Sequence, residues 1–223
     1  MNRLSIIVQD TETYKKVESK KNKIENQANR LIKNVCKGLP RGQMQKLLST
    51  GSRPAQFQAF VKDHKNKTDE FFPLRPIASV KNTPVEKVDW LLSEVLTQLV
   101  EFVPANIKNS SEVRSGLEKL DPNVLSGEKT FFSLDVINAL YPSIKIDFGI
   151  KAVLEVAELH WNDINHWGLT IDDVKKCLTF VCYNYEINVN DDTYLQIKGC
   201  PMGAHFAPPF AIITIHKIET CAI

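Results

Sequence analysis

No run of apolar residues in the 223-residue sequence approaches the roughly 18 that a membrane-crossing helix needs. No membrane partner is expected on that ground. The N-terminus, MNRLSIIVQDTETYKK, has no apolar stretch followed by a small-residue cleavage site, so no secretory signal is expected. There is no C-x-x-C pair. The five cysteines, Cys36, Cys177, Cys182, Cys200 and Cys221, are odd in number and scattered. That pattern gives no support for zinc, and a reduced intracellular setting, nuclear or cytoplasmic, is the simpler expectation.

What is present suits a globular domain, or one domain with an extension: 43% of the residues are hydrophobic. The net charge of +2 hides an asymmetry. Residues 1–67 carry 15 Lys and Arg against 5 Asp and Glu, a net of +10, and the remainder carries a net of −8. A basic first third beside an acidic remainder points to a polyanion-binding face next to a site able to hold cations. A solvated basic helix with no ligand is the plainer alternative.

Taken in order, residues 1–14 read as a strand fragment or loose arm. The stretch from Lys15 to Lys37 reads as a helix lined by Val17, Ile24, Ala28, Leu31, Ile32 and Val35, ended by Gly38 and Pro40. Residues 55–80 read as a hairpin: Phe57, Ala59 and Val61 alternate, a polar link carries Lys62, His64 and Lys65, and a second strand carries Arg75. Such a hairpin can lay cations over phosphates, with arginine making forked contacts. Pro84 opens an apolar helix whose stripe is Val85, Val88, Leu92, Val95, Leu99 and Val103, read as core without chemistry. Ser110 or Ser111 is expected to cap the next helix, Asp147 another, and Thr170 a third through a capping box with Asp173. Residues 185–198 form a second hairpin, with Asn190-Asp191-Asp192 as turn chemistry in preference to a metal site. Residues 204–219 form the last helix. Cys177 and Cys182 fall on an apolar stripe and read as buried small hydrophobes.

One stretch organises these parts. Thr130 to Ile146 reads TFFSLDVINALYPSIKI, and its apolar run is suited to a buried strand that ends at Asp135. An unpaired buried carboxylate is costly, so Asp135 needs a partner. A divalent cation is one, since Mg²⁺ prefers one or two carboxylates together with substrate phosphates. Capping a turn or a helix is the other.

The order of these motifs resembles a reverse transcriptase, most closely of the Penelope-like retroelement group. Val61-Lys62-Asp63-His64-Lys65 is similar to that group's Pro-Lys-x-His-Lys. Leu74 to Ser79 is similar to its Arg-Pro-Ile motif, and Thr83-Pro84, Lys87 and Asn106 to Ser110 follow in the expected order. Phe132-Ser133-Leu134-Asp135-Val136 with Leu140-Tyr141 resembles motif A of the palm. Gly199-x-x-Met202-Gly203 with Ala207-Pro208 resembles motif B. The resemblance covers roughly residues 55–220.

It implies an α+β fold: right-hand polymerase fingers and a partial palm, helix-rich with short antiparallel strands and hairpins. Residues 1–54 would be a basic, mainly helical extension and residues 55–223 the fingers and partial palm. It implies RNA-directed DNA polymerase chemistry, with template–primer and deoxynucleoside triphosphates as partners. Asp135 would be a catalytic metal ligand, helped by the backbone carbonyl of Val136, for Mg²⁺ in a two-metal site of the complete enzyme. Lys62, Lys65 and Arg75 would hold the triphosphate, and Tyr141, Gly199, Met202 and Gly203 would border the nucleotide.

Three departures qualify these expectations. Leu140 stands where the group has its tyrosine, with Ala139 as an apparent insertion and Tyr141 one residue late. Ala204-His205 replaces Ser-Pro after Met202-Gly203. The aromatic-x-Asp-Asp of motif C is missing, so the chain as given is expected to be a fragment inactive in polymerisation. A non-catalytic nucleic-acid-binding module that keeps the basic fingers surface is the alternative, and a purely structural α/β domain ranks third.

Overall fold

A computed structural model describes residues 6–61, 74–121 and 140–222. Their architecture is α+β: helices packed around a mixed five-stranded sheet. In chain order the elements are β1 (Tyr14–Val17), α1 (Lys21–Val35), α2 (Arg41–Lys46), β2 (Ala55–Val61), β3 (Leu74–Ser79), α3 (Glu86–Leu99), α4 (Ser110–Glu118), the one-turn α5 (Leu140–Ser143), α6 (Ile146–His160), α7 (Ile171–Tyr183), β4 (Glu186–Val189), β5 (Asp192–Gln196) and α8 (Ala207–Ala222). The sheet order is β1-β5-β4-β2-β3.

Both expected hairpins form. β2 pairs with β3 in antiparallel register, Phe57 opposite Ala78 and Phe60 opposite Arg75. β4 pairs with β5 across a tight turn at Asn190, whose φ of 56° is the left-handed conformation that asparagine tolerates. The sheet is not purely antiparallel, however: Ala55 and Gln56 run parallel to Ile187 and Asn188. That single parallel contact joins two hairpins more than a hundred residues apart, and local pattern carries no signal for it.

The first helix begins later than its periodicity suggests. Residues 14–17 form an edge strand on β5, Tyr14 opposite Gln196. Tyr14 is buried, Lys15 and Lys16 are both exposed and Val17 is half-buried, so the strand shows no clean alternation of faces. Lys16 reaches Asp192 at 2.7 Å. The helix start is then set from a distance. Buried Glu186 of β4 accepts from the Ser19 hydroxyl and the Lys20 amide, each at 2.8 Å. α1 turns Ile24, Ala28, Ile32 and Val35 inward and packs against α3 and α7.

Other helix starts follow local chemistry. Thr170 and Asp173 make the expected reciprocal capping box. The α4 cap is Asn109, not a serine; its side chain accepts from the Glu112 amide. Asp147 lies inside the first turn of α6 and accepts from the Tyr183 hydroxyl at 2.9 Å instead of capping. α3 is the central helix. Leu92, Leu96 and Leu99 on it are fully buried, each such side chain contributing about 1.5–3 kcal/mol. α3 touches α6, α7 and α8, and α8 also packs along α6. A Cβ on Gly149 of α6 would collide with the Phe210 ring of α8, so this glycine sets how closely the two helices approach. Cys177 and Cys182 lie in the shared core, and burial pushes each thiol up to about 12.

Candidate functional site

Four segments that are distant in sequence converge on one cavity of about 690 Å³. Arg75 and Ile77 of β3, Ser93 of α3, Tyr141 of α5, and Met202, Gly203 and His205 of the loop before α8 all line it. Arg75 is exposed at the outer end of the second hairpin strand. Among the described residues no carboxylate pairs with it. Tyr141 is half-buried, and burial holds its phenol above the usual value.

The Gly199–Gly203 loop is fixed to both neighbouring segments by backbone hydrogen bonds. The Ala78 amide donates to the Met202 carbonyl at 2.7 Å, and the Val80 amide donates to the Gly203 carbonyl at 3.4 Å. On the other side, the Cys200 amide donates to the Tyr141 carbonyl at 2.8 Å. Both glycines have left-handed backbone, with φ of 74° at Gly199 and 110° at Gly203. A Cβ on Gly199 would run into the Pro142 backbone, and one on Gly203 into the Ala78 carbonyl oxygen. The two glycines are therefore required for close backbone approach and not for flexibility. The Ala78 carbonyl also accepts from the buried Tyr185 hydroxyl at 2.8 Å. The β3 strand, the loop and the Tyr141 turn are thus tied into one rigid floor.

Of the residues singled out by motif, Arg75, Tyr141, Met202 and Gly203 meet at this cavity, and Gly199 is not in its lining but packs against the Pro142 backbone. Lys62, Lys65, Asp135 and Val136 lie outside the described residues, and with them the proposed Mg²⁺ ligands. Other matched positions lie elsewhere. Lys87 faces a separate polar cleft with Arg53 and Ser49. Lys108 is paired with Glu101 at 2.8 Å.

The sequence reading missed one group. Asp89 lies on α3 with its side chain completely buried. Its Oδ2 accepts from the His205 amide at 3.0 Å and from His205 Nδ1 at 2.6 Å, and its Oδ1 accepts from the Phe206 amide at 3.0 Å. Burial raises the Asp89 carboxyl above its ordinary value, while the bonds from Phe206 and His205 pull it back. A signal was available in the sequence. Val85, Asp89, Leu92 and Leu96 share one helical face, and a carboxylate on an apolar face needs donors from another element.

Chemically the site offers a guanidinium, a phenol and an imidazole above a floor of backbone and small side chains. That set is suited to a ligand with anionic and flat or sugar-like parts. The sequence matches no protein-family model, and the search of curated proteins gave no match.

Proposed function

We propose that the chain is a fingers-and-partial-palm segment of an RNA-directed DNA polymerase of the Penelope-like retroelement type, and that the cavity receives an incoming nucleotide. The observation that supports this reading is the convergence of Arg75, Tyr141, Met202 and Gly203. These residues come from three separate motifs whose only prior link was their order in the sequence, yet they line one cavity. Arg75 would contact triphosphate oxygens through its forked donors, and Met202 and Gly203 of the Gly199–Gly203 loop, held against β3, would border the nucleotide. Nucleotidyl transfer with Mg²⁺ on Asp135 belongs, in this reading, to an enzyme that also has the motif C carboxylates. For the 223 residues themselves the proposed activity is binding.

The test is a labelled DNA primer annealed to an RNA template, titrated with the chain with and without Mg²⁺ and deoxynucleoside triphosphate. The expected result is steeply salt-dependent binding that tightens when Mg²⁺ and the matching nucleotide are added. Arg75→Ala should lose that tightening. Radiolabelled incorporation by this chain, abolished in Asp135→Ala, would show that binding alone is too modest a reading.

A second reading, a non-catalytic nucleic-acid-binding module, is favoured by the net +10 of residues 1–67. It predicts the same salt-dependent binding with no gain from Mg²⁺ and nucleotide.

A further inference from the structure

His205 stands where the resemblance breaks, and its surroundings are built rather than incidental. The side chain is 54% exposed and lines the same cavity as Arg75. Its inner nitrogen is committed: Nδ1 lies 2.6 Å from Oδ2 of Asp89, a carboxylate with no exposure. An ionised carboxylate only accepts, so Nδ1 carries the hydrogen and the ring is oriented with Nε2 as the free nitrogen. The Asp89 carboxylate also holds the His205 backbone amide, so both ends of the residue are anchored to the same group. An exposed histidine that only decorates a surface needs no such support.

The local charges narrow the ligand. The backbone amides of His205 and Phe206 are both spent on Asp89, so the start of α8 has no free amide at these positions to offer an anion. An anion beside His205 must therefore be met there by its side chain. Among the described residues that line the cavity, Arg75 carries a positive charge and His205 offers an imidazole. To donate to a phosphate from Nε2 the ring must carry a hydrogen there as well as on Nδ1, so ligand binding on this geometry brings a proton onto His205 while Nδ1 stays bonded to Asp89.

We infer that His205, oriented by buried Asp89, is a ligand-contacting residue that forms with Arg75 a two-sided site for a phosphate-bearing ligand in this cavity. Asp89 is its positioning residue. The inference rests on the nucleotide reading only in placing a phosphate-bearing ligand in this cavity, and it requires neither template nor polymerisation. The phosphate could be that of a free triphosphate or of a nucleic-acid backbone.

The experiment uses the full chain and three probes: sodium tripolyphosphate, octathymidylate and, as the phosphate-free control, thymidine. Binding is read by calorimetry, and the His205 ring nitrogens are read by ¹⁵N-detected NMR. Tripolyphosphate or octathymidylate is expected to bind and thymidine is not. His205→Ala, at an exposed position, is expected to fold normally and to weaken phosphate binding about tenfold, in keeping with the loss of one charge-assisted hydrogen bond. Arg75→Ala should do the same. Tighter binding of tripolyphosphate identifies a free triphosphate as the source, and tighter binding of octathymidylate identifies a backbone.

NMR should find the hydrogen of neutral His205 on Nδ1, with the Nε2 signal moving on addition of the bound probe. Asp89→Asn places an amide donor beside Nδ1 and should move the hydrogen to Nε2, with a change in tripolyphosphate affinity in step; a moved hydrogen with unchanged affinity overturns the positioning role of Asp89. Phosphate binding that is unchanged in His205→Ala, or absent for every probe, overturns the inference. Absence of a nucleotide effect on the primed duplex, with His205-dependent tripolyphosphate binding intact, removes the polymerase reading and leaves this one standing.

Discussion

Asp89 and His205 are 116 residues apart and meet at 2.6 Å, with the carboxylate sealed in the core and the imidazole open to a cavity. Through this contact α3 sets the start of α8. The amides just before α8 would otherwise be unpaired, and Asp89 supplies the acceptor from a different helix. Removing it should therefore affect both stability and the site.

Asp89→Ala is expected to lower the unfolding free energy by about 2–4 kcal/mol, since it leaves the buried Phe206 amide and the His205 amide without acceptors. His205→Ala is expected to cost less than about 1 kcal/mol, because the exposed ring is lost while both amide bonds remain. Urea unfolding followed by circular dichroism separates the two. Equal losses would mean that the carboxylate acts mainly through the imidazole and not as a cap.

Gly203→Ala tests the loop. The substitution adds a Cβ at φ of 110°, against the Ala78 carbonyl. About 1–3 kcal/mol of destabilisation is expected from backbone strain alone. The hydrogen bonds from Ala78 to Met202 and from Val80 to Gly203 should loosen, which amide exchange at Ala78 and Val80 reports directly. Gly42→Ala, with open space around its Cβ on the short helix α2, is the control and should be close to neutral.

Thiol reactivity should divide the five cysteines sharply. Cys221 is exposed, whereas Cys36, Cys177, Cys182 and Cys200 are buried. Burial raises the pKa of each of these four, to about 12 at Cys177 and Cys182. Only the thiolate reacts, so a thiol reagent at neutral pH should modify one cysteine quickly and the rest only on unfolding. Mass spectrometry should find the fast label on Cys221. Early labelling of Cys200 would mean that the loop beneath Tyr141 opens in the native state.

The acid limb of stability should include Glu25. Burial works to raise its carboxyl, but hydrogen bonds from Ser52 and Gly51 outweigh it and hold the value below the ordinary 4.5. The Ser52 amide bond is 2.7 Å. A carboxylate lowered on folding adds stability that is fully present above its unfolded pKa and is lost as pH falls through the folded value. Glu25→Gln should therefore be less stable than wild type at neutral pH, and the gap should close below about pH 4. Thermal melts of both proteins across that range check the sign.

Much of the fold was legible from order and period alone. The Thr170–Asp173 box, the turn at Asn190 and the stripe of α3 are local: donor, acceptor or apolar neighbour lies within a few residues, so the pattern itself states the contact. The motif residues Arg75, Tyr141, Met202 and Gly203 stand out by type and order, but nothing local states that they share one cavity. The strand at Tyr14–Val17 was not legible as such. Its four residues, with two adjacent exposed lysines, carry no alternation to read, and the strand is defined by its pairing with β5.

The sequence by itself determined which segments could be helices and hairpins, where glycine was needed, and which side chains carried distinctive chemistry. Tertiary structure decided the parallel contact between β2 and β4, the collection of four remote segments around one cavity, and the choice of Asp89 as the support of His205. The physical reason is range. Capping, turn and periodicity signals act over a few residues and are written into neighbouring letters. The partner of a buried carboxylate is whichever donor the packed helices bring within hydrogen-bond distance, and that is fixed only when the core closes.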